Sequence, residues 1–106
     1  MAWVILFVAG LFEVAWAVGL KWSEGFTRFW PAVFTVGAMT VSLGLLGLAL
    51  RALPLGTAYA VWTGIGAVGT VLVGVLWFGD PATAGRLACV GLIVAGIVGL
   101  KVLSTT

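Results

Sequence analysis

The sequence is poor in charge and has no histidine. Charged residues are 8% of its 106 positions and 63% are hydrophobic, whereas soluble domains carry roughly 25% charged residues. No soluble surface of ordinary polarity can be built from that composition. Cys89 is the only cysteine, so disulfides and Cys/His metal sites within one chain are excluded, and neither a metal nor a cofactor is expected. Cys89 reads as a small apolar packing residue. A net charge of +2, dispersed along the chain, excludes a nucleic-acid footprint, and no catalytic constellation marks an enzyme. With no polar linker and no polar tail beyond Ser104-Thr105-Thr106, residues 1–106 are expected to form one domain. Ala15-Trp16-Ala17 has the look of a signal-peptide cleavage site. The segment before it has no basic residue and contains Glu13, so a retained helix is expected instead.

What is present is a set of long apolar runs punctuated by Glu13, Lys21, Glu24, Arg28, Arg51, Asp80, Arg86 and Lys101. A helix needs about 20 residues to cross roughly 30 Å of hydrocarbon. Four helices of that order are expected, at about Trp3–Leu20, Trp30–Leu50, Thr57–Phe78 and Ala84–Leu103. Pro31 suits a first helical turn. Lys21-Trp22-Ser23-Glu24-Gly25, Leu53-Pro54-Leu55-Gly56 and Gly79-Asp80-Pro81 are the turns between them. Barrel strands would alternate apolar with polar residues; these runs are apolar on every face, so the fold class is all-α membrane protein. Trp3, Trp22, Trp30 and Trp77 fall near helix ends, as an interfacial aromatic belt requires. Trp16 and Trp62 fall inside helices, where the belt does not account for them.

Four helices with short loops return both termini to one side. Lys21, Arg28 and Arg86 then face one side, and Arg51, Lys101 and the N-terminal amine the other. The positive-inside comparison is balanced. Either an unseen feature fixes the orientation, or the chain inserts both ways and an antiparallel homodimer forms from one sequence. Four thin helices do not easily enclose a polar path, which favours a dimer. On the last helix Gly91, Ala95 and Gly99, with Gly85, Cys89 and Gly96, form small-residue stripes of the kind that let helices approach closely in lipid. They serve either a dimer seam or packing within one subunit.

Glu13 is the one carboxyl group at membrane depth, and an ionisable group there is by default functional. Protonated, it is neutral; ionised, it can bind a cation. The two states exclude each other, which is the physical basis of proton–cation antiport. Helical spacing puts Gly10, Glu13, Trp16 and Ala17 on one face, with Gly10 leaving room and Trp16 closing the other side. On the third helix Tyr59, Trp62 and Gly66 share a face, and their polar tips and π faces suit a cation. Ser42, midway along the second helix, can bond a carboxylate. Each of Tyr59, Trp62 and Ser42 also has an ordinary packing role open to it. Lys101 is separated from Arg86 by fourteen apolar residues, roughly 21 Å of helix. Either both snorkel to the interfaces or Lys101 points inward to support the site.

Gly10-x-x-Glu13-x-x-Trp16, Ser23-Glu24-Gly25-Phe26-Thr27-Arg28 and the run from Pro54 to Gly66 resemble the small multidrug resistance family of bacterial exporters. Gly10, Trp16 and Lys101 match its guanidinium-exporting subtype. The resemblance implies an antiparallel, dual-topology homodimer in the bacterial inner membrane that exchanges guanidinium for protons. It implies that Glu13 of both subunits shares one site with Trp16, Ser42, Tyr59 and Trp62, that Gly64-Ile65-Gly66 kinks the third helix, and that the fourth helix makes the dimer. Cys89 departs from the family, which often has glycine there. Guanidinium fits the residues: it is planar, stays charged and offers paired N–H donors to a carboxylate. Expected partners are therefore guanidinium, protons, the lipid bilayer and a second copy, and not nucleic acid. Export of quaternary ammonium cations, a non-transporting accessory subunit and a channel are the alternatives.

Overall fold

In the computed structural model, which describes residues 1–104, four helices fill the chain: α1 (Ala2–Trp22), α2 (Phe29–Ala49), α3 (Leu55–Trp77) and α4 (Ala84–Leu103). Each is long and apolar enough to cross a membrane. The protein is all-helical and multi-pass. α3 starts two residues earlier than the sequence suggests, because Pro54 stands just ahead of it as N-cap and Leu55-Gly56 are taken into its first turn. α1 likewise runs on to Trp22, which brings Lys21 into its last turn, a favourable place for a cation at the negative end of the helix dipole.

The α1–α2 turn is built around Ser23, which is fully buried. Its hydroxyl donates to the Leu20 carbonyl at 2.9 Å and accepts the Phe26 N–H at 3.0 Å. Glu24, Gly25 and Phe26 follow in the left-handed region, at φ 51°, 73° and 69°. Only the glycine adopts that conformation without steric cost, so the Ser23 bonds hold a turn that Glu24 and Phe26 would not take alone. After α3, Gly79 at φ 72° reverses the chain, and the Asp80 N–H reaches back to the Gly74 carbonyl at 3.0 Å. Thr83 then caps α4, its hydroxyl accepting the Arg86 N–H at 3.3 Å.

α1 packs against both α2 and α3, while α4 lies along α3. The buried core is at one end of the molecule: Leu6 and Ala9 of α1, Leu46 and Ala49 of α2, Leu53, and Ala58, Val61 and Trp62 of α3. α4 has no buried residue. The molecule is only 17 Å deep in its thinnest direction, less than two helix diameters of about 10–12 Å. It is a layer of helices with open faces, not a closed bundle.

Candidate functional site

Small residues set the distance between α1 and α3. The two helices run parallel, and three contacts repeat along them: Gly10 faces Ile65, Glu13 faces Gly66, and Val14 faces Gly69. One glycine on α1 and two on α3 let each facing side chain lie directly on backbone. Gly66 is the seat of Glu13: a methyl group there would overlap its Cγ, Cδ and Oε1. The space left by Gly10, expected from the sequence to lie open beside the carboxylate, is filled by Ile65.

Glu13 is partly buried on this seam. Its Oε1 is enclosed by protein without a hydrogen-bond partner, and so is Nε1 of Trp16, one turn further along α1. A buried carboxylate oxygen without a donor is costly. It is an acceptor held ready for a proton or for a donor-bearing cation. Trp16 offers the complementary group, an N–H able to orient the carboxylate.

Ser42, Trp62 and Tyr59 are linked to each other. Ser42 is fully buried at the middle of α2. Its hydroxyl donates to the Ala9 carbonyl of α1 at 2.8 Å and accepts the Trp62 indole N–H of α3 at 3.0 Å. Tyr59 sits one turn before Trp62, its ring centroid 5.7 Å away and tilted by 51°. Tyr59 remains 55% exposed, so its ring and hydroxyl open onto the free face of the helix layer. With its N–H committed to Ser42, what Trp62 has left for a cation is its π face. The sequence pointed to Ser42 as a partner for the carboxylate. In this structure its hydrogen bonds run to Ala9 and Trp62.

The remaining sequence-nominated residues stand elsewhere. Lys101 has its Nζ 5.1 Å from the centre of the Trp3 ring, ten residues and roughly 15 Å of helix from Glu13. Gly64, on an α3 that continues unbroken through Gly64 and Gly66, receives Ile97 and Ile93 of α4. Gly91, Ala95 and Gly96 are exposed, as is Cys89. Gly69, which takes Val14, extends the seam by one turn and was not singled out from the sequence; its spacing of three from Gly66 was the available signal.

The model for the Small Multidrug Resistance protein family matches residues 1–93, a span that holds Glu13, Trp16, Ser42, Tyr59, Trp62 and Gly66. The chain belongs to the small multidrug resistance family. Within this family it is similar to a guanidinium exporter of Proteus vulgaris, with 57% identity over 104 residues, covering 98% of this chain and 100% of that one. A guanidinium exporter of Citrobacter freundii is also 57% identical, over 101 residues that cover 95% of this chain and 96% of that one. As a small multidrug resistance protein, the chain carries its unpartnered carboxyl group within the first of four membrane-spanning helices.

Proposed function

We propose that this protein is a proton-coupled antiporter that exports guanidinium and small guanidinyl cations across the bacterial cytoplasmic membrane, and that it is not an enzyme. The reading is carried by Glu13, whose buried Oε1 lacks a hydrogen-bond partner at membrane depth. The names of its relatives supply the cation. A guanidinium ion presents paired N–H donors to the carboxylate and a flat face to the rings of Trp62 and Tyr59. A proton on the same carboxyl group removes the charge the cation needs, so loading one expels the other.

The functional unit in this reading is an antiparallel homodimer assembled from chains inserted both ways. Three features support it: the balanced Lys/Arg distribution, the open faces of a layer 17 Å deep, and the exposed small-residue side of α4, with Cys89, Gly91, Ala95 and Gly96 at its seam. Two Glu13 groups then share one site. Alternating access proceeds when the pair is cation-loaded or doubly protonated. Antiparallel symmetry makes the inward-open and outward-open states equivalent. Bending of α3 at Gly64 and Gly66 supplies the motion, and Lys101, held over the Trp3 ring, supports the site from the start of α1.

Reconstitution into liposomes with a guanidinium gradient and an enclosed pH dye tests this directly. Guanidinium is expected to drive proton movement, and a tetra-alkylated ammonium to drive less. Stronger driving by the bulky ammonium overturns the substrate assignment. Guanidinium flux without proton movement overturns antiport.

A further inference from the structure

A groove lies between α3 and α4, away from Glu13. It has a volume of about 500 Å³ and is walled by Val71 and Val75 of α3 and by Cys89, Val90 and Ile93 of α4, with Asp80, Pro81 and Arg86 at one end. Val71 and Val75 are one turn apart, as are Val90 and Ile93, so two aliphatic rows face each other along the groove. Its charged end is at the level of Trp77 and Phe78, both exposed at the end of α3. Exposed aromatics at helix ends mark the headgroup layer. The valine and isoleucine walls therefore run from that layer into the hydrocarbon.

Asp80 and Arg86 are held where they are by the turn described above. Gly79 returns the Asp80 N–H to Gly74 and the Asp80 carboxylate rests on Gly74, where a methyl group would displace it. Thr83 fixes the first turn of α4 through the Arg86 N–H. Among the described residues neither side-chain charge is in a salt bridge. One free anion and one free cation thus border an aliphatic slot at headgroup depth.

We propose that this groove binds a membrane phospholipid with a primary ammonium headgroup, a phosphatidylethanolamine, with Asp80 accepting from the ammonium and Arg86 donating to the phosphate. The charge pattern selects this occupant. A glycerol headgroup offers Asp80 only neutral hydroxyl donors, and a choline headgroup carries a cation without N–H donors. Of the ethanolamine, choline and glycerol headgroups, only the first brings a cation with N–H donors to Asp80 together with a phosphate for Arg86, while its acyl chain covers the aliphatic rows. The groove uses the Val90–Ile93 side of α4, whereas Gly91 and Ala95 are turned away from it; Cys89 borders both the groove and the proposed seam. The inference is independent of the antiport reading.

The test is native mass spectrometry of the full-length protein, purified and equilibrated with equal amounts of ethanolamine, choline and glycerol phospholipids of identical acyl chains. The wild type is expected to retain the ethanolamine lipid over the choline lipid by about tenfold, the lower end of the scale of one hydrogen bond to a charged group. Asp80→Asn should bring that ratio to about one. Arg86→Gln should lower retention of all three lipids, because each carries the phosphate. Both positions are exposed, and gel filtration confirms that the variants remain folded. Equal retention of the three lipids by the wild type, a preference that survives Asp80→Asn, or undiminished retention by Arg86→Gln each overturns the proposal.

Discussion

Gly66→Ala tests whether the carboxylate works from its seat on α3. The new Cβ would stand 2.8 Å from Cγ of Glu13 and closer still to its carboxylate. Carbon atoms prefer about 3.5–4.0 Å, so the carboxylate must withdraw by roughly 1 Å. The group that yields is the far end of a flexible side chain, so the helices need not part, and the stability cost should stay near the lower end of the usual overpacking range, about 1 kcal/mol. Function should suffer far more, since a displacement of about 1 Å at a reacting group costs on the order of 100-fold. Gly10→Ala is the matched contrast. There the added Cβ would meet Cγ2 and Cβ of Ile65 at 2.5 and 2.7 Å. A β-branched side chain cannot swing its Cβ away. α1 and α3 must separate, at about 3 kcal/mol. The assay pairs guanidinium-driven proton flux in liposomes with thermal melting in detergent. Gly66→Ala should melt near the wild type and lose most of its flux; Gly10→Ala should lose stability first. Flux within twofold of wild type in Gly66→Ala would refute the idea that Gly66 positions Glu13.

Glu13→Gln should abolish exchange while leaving the protein folded, and in the wild type apparent guanidinium affinity should fall as pH is lowered, because protonation removes the charge that binds the cation; guanidinium-driven flux and a binding titration across pH check both. Ser42→Ala strands the buried Trp62 N–H and should cost about 1–3 kcal/mol in a denaturation measurement, with Trp62→Phe less damaging because it removes the stranded group itself. Trp16→Gly should shift preference toward bulky cations, read from flux over a series of alkylated guanidinium and ammonium ions. A reporter fused to the C-terminus should be found on both sides of the membrane in comparable amounts, and two lysines added to one loop should bias it.

What the sequence made legible follows from how costly each feature is in lipid. A carboxyl group amid apolar residues has no inexpensive structural role, so Glu13 stood out without a structure. Charges and turn glycines marked the helix ends to within two residues, the largest differences falling where Pro54 and Lys21 belong to helix termini. The register between helices was not legible. Gly10 and Gly66 look alike in the chain, yet one receives a stiff isoleucine and the other the Glu13 carboxylate. Which glycine faces what depends on the rotation of α1 against α3, and a stretch apolar all round contains no stripe to fix it. Ser42 illustrates the same limit: a mid-helix hydroxyl must find partners, but the Ala9 carbonyl and the Trp62 indole are 33 and 20 residues away in sequence.

The Ser42 oxygen touches three helices at once, giving its proton to α1 and taking one from α3 while anchored on α2. In water such a link is easily exchanged, because solvent replaces whatever is lost. Here no solvent waits nearby, and sliding α2 past either neighbour breaks a bond that nothing restores. The hydroxyl therefore behaves mechanically as a rivet. It makes α1, α2 and α3 one stiff plate at that depth, and it leaves large displacements to the parts of the molecule it does not fasten.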